Sequence, residues 1–252
     1  MKDKGDGVGS LVKSEFSHSL SAPEPLSLQK ECLNQESQMH QPQSKRCFTV
    51  GYGNYPIDRF IDILRNVEID MIVDVRSTPY SRFNPHFNRE NLEKSLQRCS
   101  IGYWFMGDKI GGRYSNPNLL FPDGTVNYRK VQDMEKFQEG INEVLSIISS
   151  GKMLALLCAE KEPERCHRFA LISPVLQSKG ISVIHIRPDG NLQTNEDLER
   201  ELVDSFIDTS QVRVTGEPVD FVERMYERVN RGIGGKQKEH ILRNAEKMRD
   251  KI

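Results

Sequence analysis

The sequence predicts an α/β protein whose mainly parallel sheet is covered by helices on both faces. Short apolar runs alternate along the chain with segments in which apolar residues recur at helical spacing. Parallel strands need crossover connections, and helical crossovers cover the two faces of the sheet. Several runs end in glycine or in charged residues. Polar groups are therefore expected at the carboxyl ends of the strands, where open sheets of this kind bind ligands.

Composition narrows the class of protein. The 252 residues carry 35 basic and 36 acidic side chains, so the net charge of −1 argues neither for nor against nucleic acid. The apolar runs are far shorter than the roughly 20 residues of a membrane span, and no signal-peptide pattern is present. Five scattered cysteines favour a reducing cytoplasm over a disulfide framework. A cytoplasmic protein with no membrane partner is expected, and the sequence specifies neither a cofactor nor an oligomeric state.

Three segments are predicted. Residues 1–45 are rich in Ser, Gln, Pro, Lys and Glu, a composition typical of a disordered arm. Residues 46–210 contain the alternating pattern and form the α/β domain. Residues 211–252 are predicted to be a mildly basic helical tail with a break at the glycines of 231–235.

The first two predicted strands end in residues that could contact a ligand. Strand 47–51 runs into Gly51-Tyr52-Gly53-Asn54, and a helix begins near Pro56. Glycine lets the backbone approach a ligand and the helix N-terminus favours an anion, although a tight turn explains the glycines equally well. Strand 69–75 brings Asp74 and Arg76 to one face, as a salt bridge or as part of a site.

An aromatic and cationic loop follows the second strand. Residues 80–88 contain three aromatic rings, an arginine and a histidine, which can stack a base and hold a phosphate. Alternatively, the loop packs its own rings over the sheet. A helix over 89–99 and a strand over 101–105 come next, and they are predicted to bury Cys99 and Trp104.

The rest of the domain continues the alternation. Gly111-Gly112-Arg113 predicts a sharply folded loop that presents a cation, and the long connection 114–129 is typical of a lid. Helix 130–149, strand 153–157, helix 167–178, strand 181–187 and helix 195–208 follow. His185 is interpreted as a satisfied strand histidine.

Reactive side chains concentrate in residues 152–168. Cys158 and Glu160 end strand 153–157, and a charged loop leads to Cys166, His167 and Arg168 at the start of the next helix. Thiols, an imidazole, carboxylates and arginines therefore gather where a strand ends and a helix begins. This stretch is predicted to form one wall of a site.

Several of these stretches resemble a bacterial and archaeal family called domain of unknown function 488, over roughly residues 46–208. The resemblance implies a Rossmann-like three-layer α/β sandwich. Family members are sometimes labelled as DNA-repair or nucleic-acid-related proteins, whereas many carry His-Ser at the positions of Tyr52-Gly53. The matching stretches are Thr49–Asn54, Asp74–Arg76, Ser81–Phe83, Gly111–Arg113, Leu157–Arg168 and His185–Gly190.

The favoured hypothesis is an enzyme, of undefined reaction class, that acts on a nucleotide or nucleic acid. Arginines would hold phosphates bidentately, and carboxylates would supply acid–base chemistry or bind a hard metal. Aromatic rings would stack a base, and the cysteines would pack as small residues. The predicted ligand-binding residues are Gly51, Tyr52, Arg76, Arg82, Gly112, Arg113 and Arg168, and the predicted catalytic residues are Asp74, Cys158, Glu160, Cys166 and His167.

Two other functions stay open. In a cysteine-centred hydrolase or transferase for a small molecule, cationic neighbours and a helix N-terminus would activate Cys166. His167 would act as base, Glu160 would orient it, and Cys158 would be a second nucleophile or a resolving thiol. The loop arginine stands one position too far along for the Cys-x5-Arg phosphatase pattern. The other function is a non-catalytic nucleic-acid-binding or interaction protein.

No metal site is predicted. Cys158, Cys166 and His167 are the candidates in this stretch, but two of them are adjacent in sequence. Closed zinc sites normally space their ligands by two or more residues.

Overall fold

A computed structural model describes residues 45–210 and 221–233. For residues 206–210 only the backbone is described. The predicted arm, apart from Lys45, and the tail segments 211–220 and 234–252 lie outside the described residues. The strands are β1 (Arg46–Gly51), β2 (Met71–Asp74), β3 (Gly102–Phe105), β4 (Leu154–Cys158), β5 (Ser182–Ile186) and β6 (Leu192–Thr194).

Helices connect the strands. A π-helix (Arg168–Ile172) leads directly into α6, and 3-10 turns occur at Pro85–Phe87, Pro117–Leu119 and Pro163–Arg165. None of the described helices is long and apolar enough to cross a membrane. The α-helices are α1 (Ile57–Asn66), α2 (Arg89–Gln97), α3 (Gly107–Ile110), α4 (Tyr128–Gln132), α5 (Glu135–Ser149), α6 (Ser173–Ser178), α7 (Asn195–Ser210) and α8 (221–233).

The strands form one sheet in the order β3-β2-β4-β1-β5-β6. All neighbouring pairs are parallel except β5 and β6, which are antiparallel. After β2 the chain crosses to β3, in one direction along the strand order. After β4 it crosses to β5, in the opposite direction. The strand order therefore switches between β2 and β4, and a crevice outside their carboxyl ends is the expected ligand position.

Apolar side chains bury both faces of the sheet. On one face, Phe60 of α1 and Leu92 of α2 pack in a cluster with Phe48 and Leu157 of the strands. On the other face, Phe137 and several other residues of α5 pack in a cluster with Val73 and Leu156. Full burial of each such side chain contributes about 1.5–3 kcal/mol. This arrangement confirms the predicted mainly parallel α/β sandwich.

The predicted helix 130–149 is wrong in its continuity, because α4 ends at Gln132 and α5 begins at Glu135. At the break, the Gln132 side chain donates to the carbonyl oxygen of Leu171 at 2.9 Å. The carbonyl oxygen that Gln132 exposes accepts from the side chain of Gln138 at 2.7 Å. Both polar groups are satisfied, and the apolar stripe continues across the break, so periodicity did not reveal it.

Other differences have local causes. Trp104 was predicted to be buried, but it lies on the edge strand β3 and is 46% exposed. Cys99 is half-buried rather than buried. Strand β6 was not predicted, because its three residues are too few to show the alternation of apolar and polar residues that marks a strand. Residues 231–233 were predicted to begin a break but are the last residues of α8. The side chain of Ile233 packs into the core there.

Candidate functional site

Residues that follow β2 and β4 meet at the switch point of the sheet. β2 and β4 pair in parallel, with Asp74 next to Leu157, and the backbone N–H of Val75 donates to the carbonyl oxygen of Leu157 at 3.1 Å. Cys158 pairs with Gly51 at the end of β1. The carboxyl ends of three strands therefore lie side by side at one edge of the sheet, as their parallel order predicted.

Asp74 and Arg76 form a buried, bidentate ion pair. Arg76 Nε donates to Asp74 Oδ1 at 2.8 Å and its Nη2 to Oδ2 at 2.5 Å. Arg76 Nη1 also donates to the carbonyl oxygen of Phe87 at 2.8 Å, and the hydroxyl of Tyr103 donates to Asp74 at 2.7 Å. Burial acts to lower the pKa of Arg76, but the hydrogen bonds and charge of Asp74 raise it. The pair joins β2 to β3 and to the loop after β2.

A second buried cluster contains both thiols of the stretch. The Nδ1 atom of His167 lies 3.8 Å from Cys158 Sγ and 3.6 Å from Cys166 Sγ. Its other ring nitrogen, Nε2, lies 3.0 Å from the carbonyl oxygen of Val75. A carbonyl can only accept, so Nε2 carries a proton and, in the neutral ring, Nδ1 turns its lone pair toward the sulfurs. Val75 rather than Glu160 thus orients the imidazole.

Arg168 fixes the other side of this cluster. Its Nε donates to Cys166 Sγ at 3.2 Å, and its Nη2 donates to the carbonyl oxygen of Glu160 at 2.6 Å. The Glu160 carboxylate accepts from the backbone N–H of Lys161 at 3.1 Å. Arg168 is only 1% exposed, so its guanidinium is committed to the cluster. We call Cys158, Cys166, His167 and Arg168 together the thiol centre.

Electrostatics distinguish the two thiols. Burial acts to raise the pKa of Cys166, but the hydrogen bond with Cys158 and the positive charge of Arg168 lower it well below its usual range. The same hydrogen bond, together with burial, raises the pKa of Cys158. Cys166, which accepts a hydrogen bond from Arg168, is therefore the thiol of the pair that ionises more readily.

Two of the predicted glycines are needed where the backbone meets the thiol centre. A Cβ at Gly112 would lie 2.6 Å from Cγ of His167. A Cβ at Gly51 would lie 1.9 Å from the carbonyl oxygen of Glu160 and 2.9 Å from Nη2 of Arg168. These distances are too short for any side chain, so both glycines let the protein pack closely around the thiol centre.

In the loop after β2, one aromatic ring is buried and two aromatic rings are exposed. Phe87 is buried and stacks on Tyr52 with ring centroids 4.0 Å apart. Tyr80 and Phe83 are 65% and 86% exposed, and the guanidinium carbon of Arg82 lies 5.7 Å from the Phe83 ring centre. We call Tyr80, Arg82 and Phe83 the exposed loop platform.

Contacts of the loop keep this platform at the carboxyl edge of the sheet. The side chain of Asn84 donates to the carbonyl oxygen of Gly53 at 3.1 Å, next to the end of β1. The exposed residue Arg113 is linked to the same region, because its backbone N–H donates to the Ser77 hydroxyl oxygen at 3.1 Å. Two predicted phosphate ligands, Arg82 and Arg113, are thus exposed, whereas Arg76 and Arg168 are buried.

The segment predicted as a lid is connected to α8. Leu120 and Val126 form an isolated antiparallel bridge within it. The Arg231 guanidinium lies 4.0 Å from the centre of the Phe121 ring and 3.1 Å from the Asp123 carboxylate. A lid function for this segment stays a prediction.

Sequence reasoning missed a chain of buried polar groups that leaves the thiol centre. Arg168 Nη1 donates to Thr49 Oγ1 at 3.3 Å, and Thr49 Oγ1 lies 2.8 Å from His185 Nδ1. His185 Nε2 lies 2.9 Å from Asn195 Oδ1, and Tyr226 donates to the same Glu199 carboxylate as Asn195. The signal available in sequence was a single polar residue inside each of two apolar strands, Thr49 in β1 and His185 in β5, but their partners come from separate elements.

A cavity of about 380 Å³ includes Tyr226 from this chain of polar groups but no residue of the thiol centre. It is lined mainly by α4 and α8, including Tyr128, Arg129, Tyr226 and Asn230, and by no predicted site residue. The candidate site is therefore defined by the chemistry of the thiol centre and not by this cavity.

The fold and site define a mainly parallel α/β protein with a buried thiol–imidazole–guanidinium centre at its switch point. Residues 56–174 match the model of a family described as "Domain of unknown function DUF488". This match confirms the resemblance inferred from the motifs, and it spans α1 to the start of α6 together with the complete thiol centre. Searches of curated proteins and of solved structures each gave no match.

Proposed function

We propose that this protein is an enzyme that acts on a nucleotide or nucleic acid, with the thiol centre as its reactive group. The observation that supports this proposal is the convergence of two thiols, an imidazole and a guanidinium at the carboxyl ends of β2 and β4. A scaffold does not require a cluster of thiols, imidazole and guanidinium at a switch point. Open sheets, in contrast, bind their ligands there.

The exposed loop platform supports the substrate class. Phe83 and Tyr80 offer ring faces on which bases stack, and Arg82 and Arg113 supply cations for phosphate. Because Asp74 and Arg76 are bound to each other and to Phe87, we assign them the role of positioning this loop. Substrate would thus lie between the platform and the thiol centre.

Oligonucleotide binding tests the substrate class. We expect a labelled single-stranded DNA or RNA oligonucleotide to bind with an affinity that falls as salt rises, measured by fluorescence anisotropy. Phe83→Ala should weaken binding by about 1–3 kcal/mol, the value of one base–aromatic stack. Arg82→Ala should lower the salt slope by about 0.7, the contribution of one single-strand phosphate contact.

Arg98→Ala is the matched control, because it removes the same charge at an exposed position after α2, at the opposite edge of the sheet. Equal binding by wild type, F83A and R82A would refute a role for the platform. Binding that depends on the platform, with no turnover of any bound oligonucleotide or nucleotide, would instead favour the non-catalytic binding protein.

A cysteine-centred hydrolase or transferase for a small molecule is the second candidate. It is favoured by the 3.2 Å hydrogen bond from Arg168 Nε to Cys166 Sγ, which stabilises a thiolate. Mass spectrometry after treatment with an electrophilic ester should then find an acyl adduct on wild type and on C158S, but none on C166S. Labelling of Cys99 alone would contradict this candidate.

A further inference from the structure

We infer that Cys158, Cys166 and His167 form a site for a thiophilic divalent cation, and we assign it to Zn²⁺. The inference concerns the reactive group of the proposed function and in that sense rests on it. Metal binding, however, is measured directly and does not depend on any substrate. The two proposals can therefore fail separately.

The three donor atoms already have nearly the separations of a metal site. Cys158 Sγ, Cys166 Sγ and His167 Nδ1 all lie within 4.8 Å of one another, and all three residues are buried. The sulfur-to-nitrogen distances are 3.8 and 3.6 Å. Tetrahedral zinc with ordinary Zn–S and Zn–N bonds needs about 3.5 Å between sulfur and nitrogen and about 3.8 Å between sulfurs. Shifts of a few tenths of an ångström in the sulfur-to-nitrogen distances, and of at most about 1 Å between the sulfurs, would seat an ion.

The imidazole is oriented as in zinc proteins. Ligand histidines usually donate their second ring N–H to a carbonyl or carboxylate, which fixes the tautomer and turns the other nitrogen toward the metal. Nε2 of His167 has this partner in the carbonyl oxygen of Val75, at 3.0 Å. That carbonyl belongs to the chain after β2, whereas Cys158 ends β4. Two neighbouring strands therefore hold the ligands in place.

The sequence adjacency of Cys166 and His167 is no obstacle in this backbone. Cys166 is extended, with φ −131° and ψ 147°, and His167 is helical, with φ −61° and ψ −19°. This change of conformation between neighbours lets both side chains point to one place. Closed zinc sites normally space their ligands by two or more residues, but this backbone brings two adjacent ligands together.

Three protein ligands leave one position of a tetrahedral ion for water or substrate. Within the part of the chain that the structure describes, Cys158, Cys166 and His167 are the one cluster of side chains that could hold a metal ion. Three protein ligands with an open fourth position are the pattern of catalytic zinc, which makes its bound water a nucleophile near neutral pH. Arg168, which donates to Cys166 Sγ, would remain as an outer hydrogen-bond donor to a zinc-bound sulfur.

Cobalt substitution tests the site in the full-length, reduced protein. After removal of metal with a chelator, Co²⁺ titration should saturate at one ion per chain. It should give a sulfur-to-cobalt charge-transfer band and the strong visible bands of tetrahedral cobalt, and Zn²⁺ should displace both. C158S, C166S and H167N should each bind more weakly by at least the roughly 10–100-fold that an outer-shell partner contributes.

Cys99→Ser is the control, since Cys99 is half-buried and lies outside the cluster. It should titrate like wild type. Wild-type protein, shown to be folded by circular dichroism, that gives no charge-transfer band would overturn the inference, whatever the variants do. An unchanged band in both C158S and C166S would overturn it as well, because the ion would then be bound elsewhere. Neither result would bear on oligonucleotide binding by the exposed loop platform.

Discussion

Acidification from pH 7 to pH 5 is expected to destabilise the fold through His185. This side chain is fully buried, with Nδ1 2.8 Å from Thr49 Oγ1 and Nε2 2.9 Å from Asn195 Oδ1. Thr49 Oγ1 accepts from Arg168, so its own proton is free to point at Nδ1. Asn195 Oδ1 can only accept, so Nε2 carries the ring proton. Both ring nitrogens are therefore satisfied in the neutral form.

The magnitude follows from the shifted pKa. Burial, followed by the charge of Arg168, lowers the pKa of His185 to about 3, whereas an unfolded histidine titrates near 6.5. Above pH 6.5 both states are neutral and the stabilisation is complete. Below it the unfolded chain binds a proton that the folded state excludes, so the free energy of unfolding falls by about 1.4 kcal/mol per pH unit. Between pH 6.5 and 5 the loss is about 2 kcal/mol.

Urea denaturation at several pH values measures this loss. The pH dependence of wild type minus that of His185→Gln isolates the contribution, because the carboxamide does not titrate. His86→Gln is the control, since His86 is only half-buried and one of its ring nitrogens contacts the carbonyl oxygen of Tyr55. Identical pH dependence in wild type and H185Q, or loss of the dependence in H86Q, would refute the reasoning.

Two further predictions concern the groups around the site. Asp74→Asn should lower the free energy of unfolding by about 3–5 kcal/mol, because it leaves the buried charge of Arg76 uncompensated. The exposed carboxylate of Asp62 should matter by less than about 1 kcal/mol. If urea denaturation shows equal losses for D74N and D62N, the buried pair is not a structural anchor. Gly112→Ala should cost about 1–3 kcal/mol by overpacking against the imidazole of the thiol centre. Gly232→Ala, which has open space around it, should not destabilise, and a G112A protein as stable as G232A would contradict the close packing.

The strand ends of the site were predictable, because each follows from a local pattern. Parallel strands put their carboxyl ends at one edge, and a two-residue spacing placed Asp74 and Arg76 on one face. Whether such a pair bonds internally or faces a ligand depends on the carbonyl oxygen of Phe87, which a loop brings back to Arg76. No spacing rule contains that loop geometry.

The orientation of His167 could not be read from sequence for the same reason. The carbonyl oxygen that fixes its ring belongs to Val75, 92 positions earlier in the chain. The position of Arg168 likewise depends on Thr49, 119 positions away. Each partner is a common residue or a backbone atom in an ordinary strand. Only the strand order β2-β4-β1 makes them neighbours.

In the proposed site, the two buried arginines and the two exposed arginines have different roles. Arg76 and Arg168 hold backbone carbonyl oxygens of the loops after β2 and β4, at 2.8 and 2.6 Å. Withdrawing either guanidinium toward a phosphate would leave those carbonyls, and the Asp74 carboxylate or the Cys166 sulfur, without their donors. Such a change costs several kcal/mol for a buried charge. Contacts with phosphate therefore fall to Arg82 and Arg113, and substrate selectivity should reside in the loops rather than at the strand ends.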